Sequence, residues 1–303
     1  MDNFHKMLNT QSILFFYLAV GYFCRKRDIF TGETRDKLTD FVVLITLPCM
    51  VFSSFRMDCG IAALVQGGLA LLIATVMAVA ALIAGKLLFN RFDPREKCIM
   101  QYGTLVSNSG FAGLPIVSGT YGDEGLFLAS LFIIPTRILM WSAGISLFTT
   151  GGTRWERAKK VLTNPAIIAV FLGLLWMLLP LPMPGFLDTA IDHMGDCTSP
   201  LAMALVGSIL ADVPLRGVWE PKALYLVLIR QIILPVICLL GLKALQVDPL
   251  TTGVSVALTG MPIGSTTAIL AQKYGADAQF ASKCVFISTL TSLATVPVLT
   301  LFI

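Results

Sequence analysis

The chain alternates long apolar stretches with short polar ones. One of them, IAALVQGGLALLIATVMAVAALIAG at residues 61–85, contains no charge. About 20 apolar residues rising 1.5 Å each cover the hydrocarbon core of a bilayer. Ten segments have this character: 10–24, 37–55, 61–85, 98–120, 124–148, 161–180, 189–211, 222–245, 252–272 and 278–303. Barrel strands would instead show alternation over about 10 residues. With no water to satisfy the backbone, unbroken apolar runs are expected to be helices. The pattern therefore predicts an all-α polytopic membrane protein with ten transmembrane helices. The connections are too short to hold an inserted soluble domain.

Composition agrees. The chain has 303 residues, 56% of them hydrophobic and 13% charged, where a soluble domain carries about a quarter charged. The first apolar segment, 12–24, is followed rather than preceded by its basic cluster, Arg25, Lys26 and Arg27. No small-residue cleavage pattern follows it, so a retained helix is expected rather than a signal peptide. The seven cysteines are scattered without a C-x-x-C pair and read as packing residues. With the N-terminus outside, seventeen Lys and Arg fall in inside loops, three in outside loops and two within spans. That bias places both termini outside a cell (inner or plasma) membrane. It also explains the net charge of +4 as topology, with no nucleic-acid partner implied.

Spans one to five and six to ten form two sets, 1–150 and 151–303. Five is odd, so the second set enters the membrane from the opposite side, which makes an inverted repeat. GLPIVS at 113–118 and GMPIGS at 260–265 fall in the fourth and ninth spans. Tyr121-Gly122 and Tyr274-Gly275 follow them. Asp40 precedes Pro48 by eight residues, as Asp192 precedes Pro200.

Proline inside a helix removes one hydrogen bond and crowds the preceding turn, at about 3 kcal/mol. A packed kink is one reading of Pro115 and Pro262. The other is that each opens a new half-helix at mid-membrane, because paired broken segments mark carrier sites. A helix N-terminus carries about half a positive charge and binds carboxylate or phosphate. In an inverted repeat the two N-termini meet. Asn108, Gly113, Pro115, Ser118, Gly260, Pro262, Ser265 and Thr266 are then the expected substrate-binding residues, suited to a small organic anion.

Two arginines lie within spans. Arg137, near the middle of span five, either meets a substrate carboxylate or partners an acidic side chain or freed carbonyls. Arg230, closer to the inner end of span eight, is expected to be structural and able to snorkel. Asp196 either carries a proton or sits at a solvated helix end. With His193, Asp188 and Asp192 it lacks a zinc pattern, so no metal is expected, and no cofactor.

These residues predict a secondary carrier of a mono- or dicarboxylate working by alternating access. The alternative is a cation or proton exchanger of similar architecture, but no carboxylate lies within five residues of Pro115 or Pro262. No H-E-x-x-H, G-x-S-x-G or P-loop motif is present, so an enzyme or an ATP-driven pump is not expected.

The stretches 108–125 and 258–282 resemble the fourth and ninth spans of the auxin efflux carrier family, as do LPCMVFSS (47–54) and NPAIIAVFLG (164–173) more loosely. The resemblance covers most of the chain and is nearer to bacterial organic-acid permeases of the malonate and malate type than to plant exporters, whose long cytoplasmic loop is absent. It implies two inverted repeats of five helices with broken helices 4 and 9 crossing at the site. It implies a scaffold of helices 1, 2, 6 and 7, and a transport unit of helices 3–5 and 8–10 that moves in elevator fashion. It also implies a homodimer formed through the scaffold helices.

The topology is testable by cysteine accessibility. In intact cells an impermeant thiol reagent should leave Glu156→Cys unlabelled until the membrane is opened. Labelling from outside would reverse the orientation.

Overall fold

The computed structural model describes residues 2–56, 61–148, 155, 162–179, 183–213 and 218–303. Among them the regular structure is helical: α1 (Asp2–Lys26), α2 (Gly32–Phe41), α3 (Leu47–Ser53), α4 (Ile61–Leu88), α5 (Pro94–Leu105), α6 (Leu114–Leu139), α7 (Pro165–Leu178), α8 (Gly185–Asp196), α9 (Thr198–Leu210), α10 (Pro221–Leu228), α11 (Leu234–Ala244), α12 (Pro249–Thr259), α13 (Thr266–Lys273) and α14 (Ala278–Thr300). Among the described residues five helical stretches are long and apolar enough to cross a membrane: His5–Lys26, Ala63–Leu88, Ser109–Gly144, Pro221–Ala244 and Ala278–Thr300. The other expected spans are divided or shorter. The chain pauses at Cys197 between α8 and α9, and α7 has 14 residues.

Prolines set many of these boundaries, in two ways. Pro94, Pro165 and Pro249 each occupy the first helical position, where the missing N–H costs nothing. The residue before each is a capping side chain. Asp93 accepts from Arg95 N at 2.9 Å, Asn164 from Ala166 N at 3.1 Å and Asp248 from Thr251 N at 2.9 Å. The second way uses a π turn. Pro48, Pro115 and Pro235 each follow a leucine that opens a helix directly after a five-residue π turn, at Val42–Thr46, Ser109–Gly113 and Ile229–Ile233. In all three the leucine N–H reaches back five residues, to Val42, Ser109 and Ile229. The wider turn draws the preceding carbonyls away from the proline ring, so the helix bends through instead of stopping.

α6 contains a sharp turn at Gly122, with φ 67° and ψ −157°, a region essentially closed to residues with a Cβ. Gly275, between α13 and α14, also has positive φ, 71°. Both follow a tyrosine, Tyr121 and Tyr274.

Helices meet through small residues, as packing in lipid requires. α1 and α9 touch backbone to backbone. A Cβ on Gly21 would collide with the Ala204 carbonyl, and one on Gly207 with the Leu18 carbonyl. α3 packs on α7 and α8, with Gly173 under Phe55 and Gly195 against the Met50 backbone. Ion pairs fasten the same helices at their ends. Arg25 and Arg35 both reach Asp212 at 2.8 Å. Partial burial opposes the charge of Asp212, but these two guanidinium hydrogen bonds prevail and hold its carboxyl below the usual range. At the opposite end of the fold Arg56 pairs with Asp188 and Asp192.

The close crossing of α1 and α9 gives a stability test. Gly21→Ala and Gly207→Ala should each destabilise by about 1–3 kcal/mol, the range for overpacking, read as a lower Tm. Gly68→Ala should be neutral or stabilising, because nothing lies within 4 Å of its added methyl.

Candidate functional site

Two interruptions of the helical path meet inside the protein. α5 ends at Leu105 and Val106 is extended, with φ −105° and ψ 108°. α12 ends at Thr259 and α13 begins at Thr266. Between them Ser107 and Ile263 form an isolated antiparallel bridge. Asn108 N donates to Pro262 O at 2.7 Å, and Gly264 N to Val106 O at 3.0 Å. The Ser288 hydroxyl accepts from Ile263 N at 3.1 Å. Buried backbone groups must be paired, and here each interruption supplies partners for the other. Pro262 fits because it needs no acceptor, while its carbonyl is used.

Most of the expected site residues gather here. Asn108 is 6% exposed, and Ser265, also 6% exposed, directly precedes α13. Thr266 Oγ1 lies 3.2 Å from the Tyr102 hydroxyl, tying the last turn of α5 to the first of α13. Gly260 closes α12 through its N–H to Val256 O at 2.9 Å. Gly113 packs closely against Leu258 and Met261. Pro115 stands eight residues beyond the bridge residue Ser107, in the first turn of α6 after its π turn.

Both intramembrane arginines reach this region. The Arg137 guanidinium packs against Gly110, leaving no room there for a Cβ. It contacts the Met140 sulfur at 3.7 Å and makes no salt bridge among the described residues. Arg230 does not snorkel to the surface as its place in the sequence suggested. It is 4% exposed, and its Nη1 donates to Thr259 O at 2.8 Å. The π turn at Ile229–Ile233 carries it. It thereby caps the C-terminal end of α12, where freed carbonyls carry partial negative charge.

Ser118 and Asp196 lie elsewhere. Both line a cavity of about 560 Å³ with Arg56, Asp123, Asp188 and Asp192. Asp196 is exposed there. Among the described residues no group of three or more His, Cys, Asp or Glu could hold a metal.

Residues missed in the sequence complete the surroundings. A cavity of about 20 Å³ between the crossing and α1, α9 and α14 is bounded by Gln11, Asn108, Met203, Pro262, Thr289 and Ser292. Gln11 Nε2 donates to Ser292 O at 3.4 Å, while its Oε1 is buried without a partner. A glutamine in an apolar run was the available signal. Tyr102 had no comparable one, since tyrosine is unremarkable in such a helix.

Apolar helices too numerous for one membrane pass, with interrupted backbone and polar groups buried where they meet, describe a multi-pass membrane transport protein. A profile of the family described as "Membrane transport protein", which is of the auxin efflux carrier type, matches residues 9–300, and the chain belongs to that family. An "Uncharacterized transporter" of Methanothermobacter thermautotrophicus is 27% identical over 301 residues, covering 96% of this chain and 97% of that protein. A Rhizobium meliloti protein named "Putative malonate transporter" is 25% identical over 290 residues, covering 92% and 90%. "Uncharacterized transporter MJ1031" of Methanocaldococcus jannaschii is 23% identical over 297 residues, covering 93% and 94%.

The tie between Tyr102 and Thr266 can be measured by a double-mutant cycle. Tyr102→Phe and Thr266→Val should each cost about 1 kcal/mol, the worth of a neutral hydrogen bond. The double variant should cost no more than either single one. Additive losses would show that the two hydroxyls act separately.

Proposed function

We propose that the protein is a secondary transporter that carries a small organic anion, a mono- or dicarboxylate, across the membrane by alternating access. The substrate binds where the two interruptions cross. The observation that carries this reading is the reciprocal pairing of Asn108 N with Pro262 O and Gly264 N with Val106 O. Non-helical backbone at membrane depth is tolerated where it is buried or lines a cavity, and such segments form substrate sites in carriers. α13 and the helical stretch from Ser109 both begin directly after the crossing. Their N-terminal dipoles favour negative charge there, and Arg137 adds a guanidinium with no carboxylate to neutralise it among the described residues.

The wider reading is ten helices in two inverted repeats, 1–150 and 151–303, with helices 4 and 9 broken. Its support is the symmetry of the packing. α1 packs on α9, and α7 packs on α3, which are the same pair of positions exchanged between halves. The two left-handed glycines, Gly122 and Gly275, follow the same logic. Helices 1, 2, 6 and 7 then form the scaffold and the rest the moving unit. A homodimer through the scaffold, in a cell membrane with both termini outside, belongs to this reading. A cation or proton exchanger is the second reading, and it stands on the acidic cavity at Asp123, Asp188, Asp192 and Asp196. None of those carboxylates lines the crossing cavity, so the anion carrier is preferred.

Counterflow in liposomes against a panel of mono- and dicarboxylates tests the class. Asn108→Ala and Pro262→Ala should lower transport at least tenfold with Tm nearly unchanged. Arg137→Ala should reduce uptake of a dicarboxylate more than of a matched monocarboxylate. Near-wild-type transport in the first two variants would remove the site from the crossing.

A further inference from the structure

Among the described residues Arg230 is the only charged side chain that is fully buried. No carboxylate neutralises it among them. Its Nη1 is committed to Thr259 O, but its Nε–H is buried with no acceptor. A guanidinium can only donate, and an unpaired charge away from water is costly. The structure leaves space beside it. Arg230 lines a cavity of about 20 Å³ together with Ser107, Ser109, Thr136 and Thr259. The hydroxyls of Ser107, Ser109 and Thr136 make no hydrogen bond to another described group.

This cavity is distinct from the one at the crossing. The two share no lining residue. Their separation follows from the backbone. Val106 is extended, Asn108 turns the chain at φ −80° and ψ 41°, and Ser109 opens the π turn. Ser107 and Ser109 border the Arg230 cavity, and Asn108 between them borders the other. One interruption thus presents a different polar face to each side.

A water molecule needs about 10–15 Å³ of such space. The Arg230 cavity therefore takes one sphere of that order and not a carboxylic acid. A water would accept from Nε–H and leave the positive charge uncompensated. A monatomic anion would satisfy both the donor and the charge, with hydroxyl donors on the other side. We propose that this cavity is a binding site for one monatomic anion, chloride in a cell, held by Arg230 with Ser107, Ser109 and Thr136. The bound ion neutralises the charge that caps α12, and so fixes one side of the crossing independently of the transported substrate.

The test uses the purified full chain. Tm is measured across a chloride titration against gluconate at equal ionic strength, and crystals grown in bromide are examined for anomalous scattering. The expected result is a saturable rise in Tm of several degrees with chloride alone, and one bromide peak beside Arg230 Nε. Arg230→Gln should abolish the difference between the salts. Thr136→Val, a milder change that keeps the charge, should weaken chloride affinity about tenfold, the loss of one hydrogen bond to an ion. Equal Tm in both salts, or no bromide peak, would overturn the proposal and leave a water in the cavity. Competitive expulsion of bromide by a carboxylate would overturn it too, by making the cavity part of the substrate path. A bromide peak in a protein that carries no organic anion would uphold this site while removing the carrier reading, so the two fail separately.

Discussion

The constraint on which the molecule depends is that backbone polar groups cannot be left unpaired where water is absent. A continuous helix meets it trivially and offers nothing to bind. Here two helical paths are interrupted, and the freed groups of each are used by the other through Asn108, Pro262, Gly264 and Val106. Ser288 from α14 takes a third, Ile263 N, and Arg230 takes the terminal carbonyl of Thr259. The result is irregular backbone held rigidly among buried side chains, with no reliance on solvent. Neither interruption is stable without the other, which ties the two halves of the chain at their centre.

The charges are arranged around that centre in a consistent way. Arg137 comes from α6 to the π turn at Gly110, and Arg230 comes from a π turn to the end of α12. Both bring positive charge to interrupted backbone, and neither forms an ion pair with a described carboxylate. The paired charges sit at the periphery instead. Asp212 holds Arg25 and Arg35, Asp188 and Asp192 hold Arg56, and Glu96 holds Lys222 at 2.7 Å. Paired charges fasten helix ends, while these two arginines stand beside the candidate site without a described carboxylate.

Much of this was legible in the sequence. Apolar run length gave the helical class, and the family followed from the two Gly-x-Pro-Ile motifs and their flanks. The place of the first interruption was not legible. Proline is the strongest local breaker, so it drew attention to Pro115, but the bridge forms at Ser107. The reason is the π turn at Ser109–Gly113, which lets Pro115 continue a helix. The same device operates at Pro48 and Pro235, and a Leu-Pro pair does not announce it. The depth of Arg230 was not legible for a related reason. Position along a span suggests depth, but the π turn at Ile229–Ile233 and the nearby carbonyl of Thr259 decide where the guanidinium goes. Gln11 and Ser292 approach the crossing from distant segments, a relation no local pattern carries.

The contact between α1 and α9 bears on how the molecule is made. Gly21 and Gly207 let the two backbones touch, and Lys26 of α1 is bonded to Ala211, 185 residues later in the chain, at 2.9 Å. At about 5–20 residues per second of synthesis, roughly 10–40 s separate the emergence of the two helices. During that interval α1 lies in the bilayer with its glycine face against lipid or a chaperone, because its partner does not yet exist. The intervening helices, including α3 with half of the Arg56 clamp, wait in the same way for α7 and α8. Closure of the α1 face is thus gated by the last third of the chain, and a nascent chain stopped before residue 207 leaves the interface between α1 and α9 unmade, with that face of α1 open to quality-control proteolysis.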